Sequence, residues 1–328
     1  MRSPSNAFAP AIDPATYRLH ALHAQTRDWP QTNCYADLWI EATAARGAEP
    51  RAMFGFCVAL DFEGDQFTFF KPSFDEIERL YGLGVFELSI YDRLVDHIAA
   101  QCALGRLPMV EVDAFYLPDT RGISYGLEHT KTTIGVNAID ITARRADFFH
   151  NEGYFSVDGD EFDRVFQAGV TGEALPPYAE FVKPLRPALG EAQAREFARQ
   201  ALARHLDRAP TRSPIAAFAD ALPALLGRAR AKDPTFFHKL AFNTVRQLGA
   251  NFELLAAHLD WLDAEAHAAA IEAARRLSAN AKAFQFVLAR AMMRDKPIDA
   301  PSAVATLANA YADLFAALGR ARLMERAS

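Results

Sequence analysis

The chain has 328 residues, of which 51% are hydrophobic and 23% are charged, so it has the composition of a folded protein and the length of two domains. Its formal net charge of −6 provides no general attraction for phosphate backbones, which argues against nucleic acid as a partner. The three cysteines, at 34, 57 and 102, include no CxxC pair and are too few for a disulfide framework.

The termini and apolar runs favour a cytoplasmic protein with no membrane partner. No uninterrupted apolar run reaches the roughly 18 residues needed to cross a bilayer. Proline and aspartate interrupt the N-terminal segment MRSPSNAFAPAIDPATY before any run of signal-peptide length. We therefore expect a reducing, cytoplasmic location.

Short helices and strands fill the first half of the chain. Thr32 or Asn33 can cap a helix that runs to Ala45, and the turn around Gly64 predicts a hairpin between strands at 53–62 and 66–70. The later elements expected are helices at 73–81, 92–104 and 159–166 and strands at 85–91, 108–117, 129–139, 148–150 and 154–157. Strands that follow one another with few helices between them favour an α+β fold.

The second half is rich in Ala, Leu and Arg at helical spacing. Four prolines interrupt the stretch from Leu175 to Pro187, which we interpret as a seam that breaks any strand or helix. Helices are expected beyond it at 191–207, 214–230, 234–261, 264–293 and 301–324. The sequence therefore predicts a mixed helix and antiparallel sheet domain at 1–180 and an all-α helical bundle at 181–328.

Cys34 is the most informative candidate for chemistry. It lies in the expected first turn of the helix, where unpaired backbone N–H groups and the positive end of the helix dipole favour a thiolate. A nucleophilic cysteine is one interpretation of this position, and a small buried hydrophobic residue is the other.

A nucleophilic cysteine needs a base, and His97, His129 and His150 are the histidines that follow in the first half. His129 is preferred because it begins a predicted strand after a glycine-containing turn. A histidine on a strand facing a cysteine at a helix start is the arrangement of papain-like folds.

A third residue should hydrogen-bond the far ring nitrogen of that histidine. Asn151 and Asp140 both remain candidates, because the position of the intervening turn decides which of them lies near His129. Asp113 is a further candidate, because an acid within an apolar strand must find a partner.

The remaining site predictions concern binding. The backbone N–H of Cys34, helped by Gln31 or Asn33, would form an oxyanion hole, and Asp113 and Tyr116 complete the predicted substrate-binding set. The sequence has no GxGxxG, GxxxxGK[ST], HExxH or GxSxG motif. We expect no metal and no tightly bound cofactor.

Two families share these motifs. The run Glu111–Pro118, followed by His129, Ile134-Gly135-Val136 and Asp140, resembles the N-terminal domain of the butirosin-biosynthesis acyltransferase family. The segments Thr32–Tyr35, His129–Asp140 and Phe149–Phe155 resemble more closely a bacterial domain-of-unknown-function family, number 1839. The likeness extends over about residues 30–170 by motif and over the helical half by layout.

The resemblance implies a papain-like cysteine enzyme that takes an acyl or aminoacyl group from the phosphopantetheine arm of a carrier protein. Cys34 would attack the thioester, His129 would be the base, and Asn151 or Asp140 would orient it. The acceptor would be an amine on a small molecule or a protein. The likeness to the second family also implies a setting beside amino acid:carrier-protein ligases.

Two other functions use the same residues. A cysteine hydrolase (a peptidase, amidase or thioesterase) would differ only in passing the acyl group to water. A non-catalytic module would use the same cleft to bind a carrier protein.

Overall fold

The computed structural model describes residues 7–10, 12–31, 33–167, 175–232, 236–293 and 298–325. Contacts divide the chain into two units. The first consists of the described parts of Met1–Ala24, Asn33–Pro50 and Ser73–Gly190. The second consists of the described parts of Gln25–Thr32, Arg51–Pro72 and Glu191–Ser328.

A six-stranded sheet forms the centre of the first unit, within the part of the chain that the structure describes. Its spatial order is β1-β6-β2-β3-β4-β5, and every neighbouring pair is antiparallel. The strands are β1 (Leu83–Glu87), β2 (Leu107–Asp113), β3 (Lys131–Asp140), β4 (Arg145–His150), β5 (Gly153–Asp158) and β6 (Ala179–Pro184). The helices of this unit are α1 (Cys34–Ala44), α2 (Phe74–Tyr81), α3 (Leu94–Ala103) and α4 (Gly159–Val165). The expected α+β class is confirmed.

Strand β6 corrects one expectation. The sequence predicts that prolines interrupt the stretch from Leu175 to Pro187, yet β6 pairs with both β1 and β2 inside this stretch. Pro176 and Pro177 precede the strand and Pro184 is its last residue, so none of them removes an N–H from the middle of the ladder.

The two faces of the sheet carry different neighbours. Even-numbered side chains of β2 and β3 enter a buried apolar cluster with α3 and α4, because alternate residues of a strand share a face. Members of this cluster are Val95, Ile98, Val110, Val112, Ile134, Val136, Phe148 and Phe162. The odd-numbered face of β3 packs against α1, since a Cβ at Gly135 would lie 3.4 Å from Leu38 Cδ1.

The second unit is mainly helical. Its helices are α5 (Glu191–Leu206), α6 (Pro214–Arg230), α7 (Phe236–Ala241), α8 (Gln247–Asp263), α9 (Ala268–Met293) and α10 (Ala300–Glu325), with a π-helical turn at Phe242–Arg246. The predicted helix at 234–261 is thus divided, and its first two positions lie outside the described residues. No helix in the described ranges has the length and apolar character needed to cross a membrane.

The strands predicted at 53–62 and 66–70 are wrong, although the predicted turn around Gly64 does form. Residues Pro50–Ala59 form a 3₁₀ helix, and the only pairing in this segment among the described residues is an isolated bridge between Phe62 and Phe67. Both of those aromatic rings pack against Phe218 of α6. A short run that is apolar on every side fits a strand and a helix equally well, so periodicity could not identify this one.

Candidate functional site

Cys34 is the first residue of α1, and Asn33 caps the helix. The N–H of Ala36 donates to Asn33 Oδ1 at 2.9 Å, and Asn33 itself is extended and buried. This bond satisfies one of the free N–H groups of the first turn. Cys34 remains half-buried, and the alternative cap, Thr32, lies outside the described residues.

Helix α1 runs across the strands of the sheet, and its first turn, which carries Cys34, lies toward β6. Leu38, one turn after Cys34, contacts Gly135 in the middle of β3. Beyond the other end of the helix, Arg46 donates to the Phe8 carbonyl, and the neighbouring Ala9 N–H donates to the Asn137 side chain at 3.0 Å. Near the first turn, Tyr35 donates to Glu180 of β6 at 2.8 Å, and Glu180, Met109 and Gly135 lie in one row across β6, β2 and β3. The helix therefore runs across the strands, from β6 at its first turn to β3 at Leu38.

His129 is held by Asp113 and not by either of the two preferred candidates. Asp113 is the last residue of β2, and its Oδ2 lies 2.6 Å from His129 Nδ1. An ionised carboxylate can only accept, so Nδ1 donates and Nε2 is left for another partner. The Nε2 atom has no hydrogen bond among the described residues.

Asp113 is stabilised as a carboxylate. Burial opposes its ionisation, but hydrogen bonds from His129 and from the N–H groups of Phe115 and Thr130 outweigh that effect and lower the pKa of Asp113 below its usual value. The pair therefore includes a carboxylate that remains charged near neutral pH.

Aromatic rings fix the plane of the His129 ring. Phe115 stacks on it with centroids 4.2 Å apart and an interplanar angle of 11°, and Tyr116 meets it edge-on at 6.1 Å. Tyr116, predicted as a substrate-binding residue, thus lies beside the histidine. The other side of the imidazole is open, and the His129 side chain is 66% exposed.

The two preferred candidates for the orienting role lie elsewhere. Asp140 is the last residue of β3, at the opposite end from His129, and its Oδ1 accepts from the Ala143 N–H at 2.8 Å. Asn151 lies in the turn after β4, at the same end of the sheet as His129, with a φ of 45°. The structure therefore brings Asp113 to His129 and gives neither Asn151 nor Asp140 that contact.

The other predicted site residues have no hydrogen bond to the Asp113–His129 pair among the described residues. Gln31 belongs to the second unit, where its carbonyl accepts from Arg246 at 3.1 Å. Asn33 has its side-chain oxygen engaged by the helix cap. Within the described residues, no hydrogen bond joins the Cys34 sulfur to the His129 ring.

A buried polar cluster on α1 was not predicted from the sequence. His23, fully buried, lies between Asp37 and Glu41: its Nε2 is 3.3 Å from Asp37 Oδ1, and its Nδ1 contacts Glu41. Tyr17 donates to the other Glu41 oxygen at 2.5 Å. The available signal was the pair of acids four residues apart within an otherwise apolar helix, since buried acids require partners.

Two family models match most of the chain. Residues 18–184 match the DUF1839 N-terminal domain and residues 191–320 match the DUF1839 C-terminal domain. The first match ends with the last residue of β6, and the second begins with the first residue of α5. A comparison with curated proteins found no match. Cys34, Asp113 and His129 all lie in the first matched range.

Proposed function

The chain belongs to the DUF1839 family, and we propose that it is a papain-like cysteine transferase of the cytoplasm, related in mechanism to the butirosin-biosynthesis acyltransferases. Its donor is an acyl or aminoacyl thioester on the phosphopantetheine arm of a carrier protein. Its acceptor is an amine of a small molecule or a protein. Cys34 is the nucleophile, His129 the proton carrier and Asp113 the residue that orients it.

The first half-reaction moves the acyl group to the enzyme. The Cys34 thiolate attacks the thioester carbonyl, and the bond between that carbon and the pantetheine sulfur breaks. The departing sulfur takes a proton from His129 Nε2, leaving a thioester on Cys34 and a free pantetheine thiol. Backbone N–H groups at the start of α1 supply hydrogen bonds to the oxyanion.

The second half-reaction forms an amide. The acceptor amine attacks the Cys34 thioester, His129 Nε2 takes a proton from the amine, and the carbon–sulfur bond to Cys34 breaks. The products are the acylated amine and a Cys34 thiolate beside a protonated His129. Asp113 faces Nδ1 throughout, so it stabilises the positive charge that the ring acquires in each transfer.

The observation that carries the proposal is the Asp113–His129 pair. It fixes which ring nitrogen is free, and its Asp113 member belongs to the odd-numbered strand face that α1 also covers. A shared face matters because a base on the opposite face of the sheet would be separated from Cys34 by the sheet itself.

Intact-protein mass spectrometry tests the proposal. The wild-type protein is incubated with a carrier protein loaded with an amino acid, and we expect the mass of one aminoacyl group to be added. Cys34→Ala should prevent this addition, whereas Cys102→Ala, a matched control on α3, should leave it unchanged.

The acceptor decides between transfer and the rival activities. Adding primary amines should discharge the loaded enzyme into an amide faster than water discharges it. Discharge into the free acid alone would instead indicate a thioesterase. Equal labelling of wild type and Cys34→Ala would reject a cysteine mechanism, and carrier-protein binding without labelling would indicate a non-catalytic module.

A further inference from the structure

A second histidine forms a buried hydrogen-bonded chain on the opposite face of the sheet. His150, the last residue of β4, is fully buried. Its Nδ1 lies 2.5 Å from Asp119 Oδ2, and its Nε2 lies 2.7 Å from Thr132 Oγ1. Both ring nitrogens of His150 are therefore engaged, one by a carboxyl group and the other by a hydroxyl group.

The hydrogen bond between Asp119 and His150 has no substitute among the described residues. Asp119 has 5% of its side chain exposed, and its second oxygen, Oδ1, has no hydrogen-bond partner among the described residues. His150 is thus the one described side chain that compensates this buried carboxylate. Loss of the imidazole would leave a buried carboxyl group without its hydrogen bond, which favours movement of the segment that carries Asp119.

The hydrogen bonds of His150 join three segments that surround the Asp113–His129 pair. Asp119 lies in the connection between β2 and β3 (residues 114–130), which also carries Phe115, Tyr116 and His129. Thr132 lies three residues after His129 and pairs across the ladder with Val112, the neighbour of Asp113. His150 therefore ties the connection to the first residues of β3 and the end of β4.

Internal bonds stiffen the same connection. The Thr120 hydroxyl donates to the Ala114 carbonyl at 2.9 Å, and the Gly126 N–H donates to the Phe115 carbonyl at 3.0 Å. These hydrogen bonds hold the residues of the connection in fixed positions relative to one another. We therefore expect a displacement of Asp119 to displace Phe115 as well, and the Phe115 ring stacks on His129.

We propose that His150, with Asp119 and Thr132, is a positioning residue that sets the orientation of the His129 ring from the opposite face of the sheet. The inference rests on the proposed function for its kinetic consequence only. Thr132 is 6% exposed, so its hydroxyl acts within the protein, and the substrate does not reach it.

Three variants test the chain. His150→Phe keeps an aromatic ring and removes both bonds, His150→Asn retains an amide where Nδ1 meets Asp119, and Thr132→Val removes one hydroxyl without changing shape. Thr244→Val is the matched control, because Thr244 is a buried threonine of the helical unit whose hydroxyl donates to a backbone carbonyl.

Two measurements read the result. The ring nitrogens of His129 are followed by NMR of the full-length protein labelled with ¹⁵N-histidine, with His129→Gln used to assign the signals. Steady-state transfer then provides kcat and KM. His150→Phe and Thr132→Val should shift the His129 signals and lower kcat by about 10-fold or more at similar KM, because small misplacements of a catalytic group are costly. His150→Asn should recover part of both effects, and Thr244→Val should show neither.

The outcomes separate this inference from the proposed function. If the wild type has no transferase activity, the function fails, while shifted His129 signals in Thr132→Val still support the positioning role. If His150→Phe does not fold, Thr132→Val decides alone. Unchanged His129 signals in a folded Thr132→Val protein would overturn the inference, whatever the activity.

Discussion

Asp113 and His129 are sixteen residues apart in sequence and are joined by a 2.6 Å hydrogen bond between a carboxylate oxygen and Nδ1. The antiparallel pairing of β2 with β3 produces this contact, because it sets Asp113 opposite Lys131, just after His129. Glu111 forms a comparable ion pair with Lys131 on the same strands, at 2.6 Å. Two carboxylates of β2 thus bond a nitrogen of the segment 129–131 side by side, and the partner of Asp113 is an imidazole.

We predict that Asp113→Asn lowers kcat for acyl transfer by about 100-fold or more. The amide keeps the shape of the side chain but can present an N–H toward Nδ1, which would favour the proton on Nε2 and remove the free lone pair there. Rates of aminoacyl transfer from a loaded carrier protein measure the effect.

Glu111→Gln is the matched control for that variant. It removes a carboxylate of similar exposure from the same strand, but its partner is Lys131 and not the histidine. Its activity should stay within about 2-fold of the wild type, since an exposed ion pair contributes little. A comparable loss in both variants would assign the effect to surface charge and not to the orientation of His129.

The individual residues of the site could be named from the sequence, but their pairing could not. An acid inside the apolar strand 108–117 predicts a partner for Asp113, and a histidine at a strand start predicts a side chain at a sheet edge. Which acid meets which histidine depends on the register between β2 and β3, and register is set by long-range packing. His150 illustrates the same limit, because its two partners come from separate segments.

Some elements of the fold could likewise be predicted from the sequence, and others could not. The α1 start and the α6 helix Pro214–Arg230 follow from local chemistry, namely a cap at Asn33 and a proline at a first helical position. The segment 53–70 does not, because its conformation is determined by helices far away in sequence. Phe67 donates its N–H to the Asn243 carbonyl, 176 residues further along the chain (243 minus 67).

We predict that Cys34 is the first of the three cysteines to react with iodoacetamide in the native protein. Cys34 is half-buried at a helix start. Burial raises the pKa of the Cys57 thiol well above its usual value and that of Cys102 to about 12, so neither forms much thiolate at neutral pH. Peptide mapping after timed alkylation measures each site, and alkylation in denaturant shows that all three can react. Earlier modification of Cys102 would contradict the prediction.

The His23 cluster predicts a stability that falls at alkaline pH. Burial alone lowers the pKa of His23, but hydrogen bonds to Asp37 and Glu41 outweigh it and raise the pKa to about 9 from the usual 6.5. A group whose pKa is higher in the folded state than in the unfolded state stabilises the fold fully when the pH is below its unfolded-state pKa. This contribution to the free energy of unfolding is lost as the pH rises through the folded-state pKa. The free energy of unfolding should therefore decrease between about pH 6.5 and 9, by an amount on the order of 3 kcal/mol.

Urea unfolding at a series of pH values tests this decrease. His23→Gln should be less stable than the wild type at pH 6, and the difference should shrink above pH 9, where the wild-type imidazole is neutral. His238→Gln, which changes an exposed histidine of α7, should follow the wild-type curve. A constant difference between His23→Gln and wild type across this range would show that the cluster does not bind the extra proton.

Two helical glycines of the second unit should respond in opposite directions to alanine. A Cβ at Gly249 of α8 would lie 2.4 Å from the Trp29 ring, which is 3% exposed and cannot move into solvent. Gly249→Ala should therefore destabilise the protein by about 1–3 kcal/mol through overpacking. Gly227 of α6 has no atom within 4 Å of its Cβ position, so Gly227→Ala should stabilise by about 0.5–1 kcal/mol through helix propensity alone. Thermal unfolding followed by circular dichroism measures both, and a Gly249→Ala protein as stable as Gly227→Ala would show that Trp29 does not hold its place against α8.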